Sequence, residues 1–149
     1  MKKLFSSLPL VLTCLIVLLG SCKKDDVDTV ILQETVYNLM PLNSSGITGT
    51  ATFTENSDGT TYILIELEGS NTSEHPAYIR YNSVSEGGSN AITLKDCTCA
   101  ISETDVTKLD GGTSINYDGL LKFDGHVAIL ANKSDDTVVA VANIGKNAN

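Results

Sequence analysis

The feature that most constrains the fold is a period-two alternation of apolar and polar residues, repeated in short runs along the chain. It is clearest in residues 60–68 (TTYILIELE), where Ile63, Ile65 and Leu67 share one face. Successive side chains of a strand point to opposite faces, so this run predicts a half-buried strand with those three residues in the core. The preceding Asn56-Ser57-Asp58-Gly59 predicts a hairpin turn, because Asp-Gly favours the positive φ angles of tight turns.

Similar runs recur at short intervals, separated by turn residues. The predicted strands are residues 36–39, 47–54, 77–81, 91–94, 101–109, 125–132 and 137–144, with one helical turn at 117–122. Seven to eight short strands at this spacing predict an all-β fold, an antiparallel β-sandwich or barrel. With 149 residues, the chain has room for one domain with a substantial core.

The first 21 residues have the composition of an export signal peptide. Lys2 and Lys3 precede an apolar run over residues 8–19, which is shorter than the roughly 20 residues of a membrane-spanning helix. Leu19-Gly20-Ser21-Cys22 follows and resembles the cleavage site of bacterial lipoproteins. That resemblance implies that Cys22 carries acyl chains such as palmitate, which anchor the protein in the outer membrane. The alternative is an ordinary secretory signal in which Cys22 lies by chance.

The segment after the cysteine is charged. Residues 22–35 are predicted to be the lipidated cysteine and a flexible tether, and residues 36–149 the sandwich domain. Asp25-Asp26 resembles the export tag of surface lipoproteins of the Bacteroidetes, a short address that a receptor reads. This tag predicts the cell surface; a simple charged linker would instead leave the protein facing the periplasm.

The charge of the chain limits its partners. Formal net charge is −8, and removal of the signal, which contains Lys2, Lys3 and no acidic residue, makes it −10. An acidic domain is repelled by phosphate backbones, so nucleic acid is not expected as a partner. Anionic lipid repels it as well, so membrane attachment is expected through the lipid anchor.

Several short motifs together resemble a chordin-type (CHRD) domain and, more distantly, the copper/zinc superoxide dismutases. They are Ile47-x-Gly49-x-x-x-Phe53, Asp58-Gly59, His75-Pro76-Ala77-Tyr78-Ile79-Arg80, Phe123-Asp124-Gly125 and Asn143-Ile144-Gly145. The resemblance covers nearly all of residues 36–145. It implies a Greek-key β-sandwich of antiparallel strands.

The metal ligands of the dismutase relatives are replaced in this sequence. Their H-x-H strand corresponds to Tyr78 and Arg80, and the histidine of their late strand to Leu130. A phenol and a guanidinium do not substitute for imidazole as copper or zinc ligands, and Arg keeps its positive charge. Dismutase activity is therefore not expected, and no catalytic residue or cofactor is predicted.

The remaining candidates for chemistry are two histidines and two cysteines. His75 is expected to brace a loop through backbone hydrogen bonds, and His126 to be exposed on the last hairpin. For Cys97 and Cys99 a small disulfide ranks first, free thiols second, and metal binding with His75 third.

The sequence thus predicts a non-catalytic, lipid-anchored envelope protein with a binding or structural role toward an unknown envelope protein or glycan. One alternative is a copper- or zinc-dependent redox or metal-handling protein, in which Cys97, Cys99 and a histidine would converge. Another is an accessory protein of surface glycan capture, which requires tyrosines exposed together in a groove. The candidate tyrosines are Tyr37, Tyr62, Tyr78, Tyr81 and Tyr117.

Overall fold

The computed structural model describes residues 30–70 and 74–148, which are almost entirely β structure. Signal residues 1–21 and Cys22 lie outside the described residues. Within the described part there are ten strands and one short helix, α1 (Tyr117–Leu121). The strands are β1 (Ile31–Pro41), β2 (Thr48–Asn56), β3 (Thr61–Glu68), β4 (Glu74–His75), β5 (Ala77–Tyr81), β6 (Asn90–Thr93), β7 (Cys97–Thr98), β8 (Ile101–Val106), β9 (Asp124–Asn132) and β10 (Asp135–Gly145).

The strands form one antiparallel sheet that curls into two facing layers. The order across it is β4-β7-β8-β3-β2-β1-β10-β9-β5-β6. β1 belongs to both layers: it pairs with β2 from Ile31 to Leu39 and with β10 at Met40 and Pro41. We call the strands from β4 to β2 the first layer and those from β10 to β6 the second layer.

The connections are of the Greek-key type. β3 and β8 are neighbours in the first layer, yet the chain between them passes through β5 and β6 of the second layer. The all-β sandwich predicted from strand spacing is confirmed.

The core lies between the two layers and draws on nearly every strand. In β3 the burial alternates as predicted, with Ile63, Ile65 and Leu67 inside. The largest fully buried side chains are Tyr117, Phe53, Leu39, Ile63, Ile65, Ile79, Leu120, Ile129, Ile144 and His75. Close packing of such side chains is the main source of stability of a domain of this size.

The short helix closes one end of this core. Asn116 caps it by accepting a hydrogen bond from the Gly119 N–H at 3.0 Å. Tyr117 is buried, and its hydroxyl lies 2.6 Å from Oγ1 of Thr35 on β1. The helical turn predicted at 117–122 is therefore present and packs its aromatic ring inward.

β1 begins at Ile31, five residues before the predicted start of the domain at residue 36. The difference arises because Gln33, Glu34 and Thr35 are polar and read as a linker in the sequence. In the structure they pair with β2; Gln33 and Glu34 are exposed, and Thr35 is half-buried. Residues 31–35, predicted as part of a flexible tether, therefore belong to β1. No helix in the described ranges has the length and hydropathy needed to cross a membrane.

Gly49 provides a test of this packing. Its φ is +151°, and a Cβ atom added there would lie 2.0 Å from the carbonyl oxygen of Glu66 on β3. Gly49→Ala is expected to lower the free energy of unfolding by about 3 kcal/mol or more, since backbone must move to relieve the contact. Urea denaturation of residues 23–149 measures the change.

The matched control is Gly111→Ala, because an added Cβ there meets no atom within 4 Å. Its effect is expected to stay within about 0.5 kcal/mol. Equal stability of the two variants would contradict the close approach of β2 to β3 at Gly49.

Candidate functional site

Two of the three positions predicted to correspond to dismutase ligands, Tyr78 and Arg80, lie on the outer side of β5. Tyr78 and Arg80 flank the fully buried Ile79, so both point away from the core. The Arg80 Nε–H donates to Oδ1 of Asn90 at 3.0 Å, and the guanidinium carbon lies 5.8 Å from the centre of the Tyr78 ring. These contacts hold the arginine against the sheet surface.

Leu130, the third such position, serves to join the two layers. Its side chain is buried, and its backbone N–H donates to the carbonyl of Pro76 at 2.9 Å. Its own carbonyl oxygen lies 2.8 Å from Nδ1 of His75. The backbone of β9 is thus bonded to the chain where β4 ends and β5 begins.

His75 is the centre of this junction, which we call the seam: Ser70, His75, Pro76 and Leu130. The imidazole is 1% exposed. A carbonyl oxygen can only accept, so Nδ1 of His75 carries the proton and donates to Leu130. Nε2 lies 2.6 Å from the Ser70 hydroxyl oxygen, within hydrogen-bond distance. The predicted bracing role of His75 is confirmed by its bond to backbone.

Cys97 lies directly across from His75 in the β4–β7 pair, and both side chains are buried. Burial, and secondly the charge of Asp96, raises the pKa of the Cys97 thiol to about 12. Soft metals bind the thiolate, so this environment opposes metal ligation although a histidine is close.

The predicted disulfide between Cys97 and Cys99 is wrong, because both thiols are free. Cys97 is buried, whereas Cys99 is exposed and has a φ of +50°. Ala100 follows with a φ of +73°. The chain turns sharply there, which leaves one thiol in the core and the other in solvent.

Metal binding by His75, Cys97 and Cys99 gains no geometric support. Within residues 30–70 and 74–148, no three or more His, Cys, Asp or Glu side chains are grouped closely enough to hold an ion. Two ligands, one of them a buried thiol, do not complete a zinc or copper site.

His126 was expected to be exposed, and this expectation is wrong. It is 4% exposed because the segment that follows β5 folds over it. Its Nδ1 donates to the carbonyl of Asn82 at 2.8 Å, and beside it the Val84 N–H donates to Oδ1 of Asn143 at 2.8 Å. The φ of +62° at Asn82 turns the chain into this position, and the sequence carries no clear signal for it.

The tyrosines do not form a shared platform. Tyr37 and Tyr117 are buried in the core, and Tyr62 lies on the first layer, where its hydroxyl donates to Glu103 at 2.7 Å. Tyr78 and Tyr81 lie on β5 of the second layer. A glycan surface of stacked rings would need these side chains side by side.

A groove that the sequence analysis missed lies where β1 passes from one layer to the other. Its volume is about 680 Å³. It is lined by Thr35, Val36, Tyr37, Asn38, Met40, Val84, Val141, Ala142, Asn143, Asn147 and Ala148. The sequence signal for this groove is the pair of apolar residues Val36 and Met40 on the outward face of β1.

No model of a known protein family matches this chain, and a search of curated proteins finds no significant match. The chordin-type and lipoprotein resemblances therefore stay predictions.

The burial of Cys97 predicts a pH dependence of stability. The thiol pKa is about 12 in the fold against 9.0 for the free group, so the folded state favours the protonated form. The protonated Cys97 thiol therefore makes its full contribution to the free energy of unfolding below pH 9. This contribution falls by about 1.4 kcal/mol per pH unit as the pH rises toward 12. Urea denaturation of wild type and Cys97→Ala across this window measures the difference.

Cys99→Ala is the control and is expected to keep the wild-type profile, because Cys99 is exposed. If wild type and Cys97→Ala lost stability in parallel between pH 9 and 12, the thiol would not be desolvated as described.

Proposed function

We propose that the protein is a lipid-anchored envelope protein whose sandwich is a non-catalytic binding or structural module. The observation that carries this is the spacing between Cys22 and the fold. β1 begins nine positions after Cys22, so the domain starts almost at the predicted acylation site. Acyl chains on Cys22 would hold the sandwich against the outer membrane, and Asp25-Asp26 favours the cell surface.

The contacts at the former ligand positions support a scaffold role. Arg80 is held by Asn90 and Tyr78, and the backbone of Leu130 closes the seam. His75 uses Nδ1 to join β9 to β4. Residues that in the dismutase relatives would hold metal here make packing and hydrogen-bond contacts. The activity we propose is therefore recognition or support of an envelope partner, with no metal step.

One observation favours the metal-handling alternative, the His75–Cys97 pair across β4 and β7. Metal binding there would require ionisation of a thiol whose pKa is about 12 and loss of a bond in the seam. The glycan alternative has weaker support, because the five tyrosines divide between the core and two layers. Both are therefore secondary proposals.

Substitution of the predicted acylation site tests the anchor. Cys22→Ser is expected to abolish palmitate incorporation and to move the protein from the membrane fraction to the soluble fraction, because no acyl chain remains to hold it. Radiolabelled palmitate and mass spectrometry of the mature protein measure both effects.

Cys99→Ser is the matched control, since it removes an exposed thiol of the folded domain. Cys99→Ser should incorporate as much radiolabelled palmitate as wild type, and the same share of the protein should be found in the membrane fraction. Retention of label in Cys22→Ser, or loss of label in Cys99→Ser, would show that Cys22 is not the acylated residue.

A further inference from the structure

The exposed apolar residues of the described chain are concentrated along β1 and its flanks. Six of the eight large ones lie in this stretch: Val30, Ile31, Leu32, Val36, Met40 and Leu42. The first three are consecutive and are 57%, 62% and 57% exposed. In an alternating strand one face normally turns inward, so three consecutive exposed apolar side chains leave both faces of this strand end without cover. We call Val30, Ile31 and Leu32 the apolar tip.

The tip is fixed to the folded domain. The Ser57 N–H donates to the carbonyl of Val30 at 3.0 Å, and the Val30 N–H donates to Oγ of Ser57 at 3.2 Å. Ile31 pairs with Asn56 at the end of β2. The tip therefore lies beside the β2–β3 turn, at one end of the sandwich.

The position of the tip relative to Cys22 indicates what covers it. Cys22 precedes Val30 by eight residues, and an extended chain of that length spans at most about 29 Å. With acyl chains on Cys22, the end of the sandwich that carries the tip would be held within this distance of the bilayer. Lipid is the apolar medium within this reach.

We propose that the apolar tip inserts at the boundary between headgroups and acyl chains and so orients the sandwich on the membrane. This inference rests on the proposed lipid anchor at Cys22. The anchor supplies the attachment, and the tip sets which end faces the lipid. Loop 42–46 and the turn at Cys97–Ala100 then point away from the membrane, where a partner would meet them.

The charges around the tip favour lipid over a second copy of the chain. Glu34 and Glu55 are close to it in the β1–β2 register, and Asp58 follows Ser57, which is hydrogen-bonded to Val30. Two copies packed tip to tip would bring these carboxylates together, whereas a zwitterionic lipid surface carries no net charge against them. The contact is accordingly expected to be stronger on zwitterionic than on anionic vesicles.

The absence of tryptophan from the sequence permits a direct test. Ile31→Trp introduces a single reporter at the tip. Ile101→Trp is the control, because Ile101 is also an exposed isoleucine of a first-layer strand but lies at the opposite end. The full-length protein, processed in cells, is reconstituted in phosphatidylcholine vesicles with brominated acyl chains, which quench tryptophan on contact.

We expect at least a twofold loss of tryptophan emission in Ile31→Trp and little loss in Ile101→Trp. Leu32→Trp, also at the tip, is expected to lose emission by at least twofold as well. Equal quenching of tryptophan at positions 31 and 101 would overturn the proposed orientation of the sandwich on the membrane. Unquenched emission at 31 and 32 in protein that floats with the vesicles would overturn the tip contact while the anchor stands. A dimer mass in that sample would assign the tip to a second copy.

Flotation of the protein with the vesicles, and the mass of the acyl chains on Cys22, are measured on the same samples. Absence of both would refute the proposed anchor, and the tip proposal would fall with it. Presence of both, without quenching, refutes the tip proposal alone.

Discussion

The structure depends on two places where the chain joins its layers. On one side, His75 donates to the carbonyl of Leu130 and the Leu130 N–H donates to Pro76, so the edge strand β4 is tied to β9. On the other side, β1 pairs with β2 and then with β10. A buried imidazole that lost its partner would cost about 1–3 kcal/mol. The seam therefore holds only if the ring nitrogens remain in hydrogen bonds.

This constraint bears on function. A histidine that closes the sandwich is not free to bind a metal, and the cysteine opposite it is protonated at physiological pH because its pKa is about 12. β1 also lies nearest to the proposed anchor, because its first residue, Ile31, is the start of the first described strand.

Period-two alternation was sufficient to predict the fold class and the buried face of β3. The alternation did not predict the burial or the orientation of side chains that depend on contacts with residues far away in the sequence. Residues 33–35 look like linker because their polar groups suit an exposed strand as well as a tether. His126 is buried only because residues 82–84 fold across it, and Cys97 and Cys99 separate because of a left-handed turn at Cys99. None of these features has a local sequence pattern that determines it.

The most direct test of the central claim is the behaviour of the His75 ring during metal addition. Long-range ¹⁵N NMR of residues 23–149 reports which nitrogen carries the proton. We predict a signal with the proton on Nδ1 that does not change when stoichiometric zinc or copper is added, as expected for a ring held by Leu130 and Ser70. A stoichiometric shift of the His75 signals, lost in Cys97→Ser, would contradict it and make the seam a metal site.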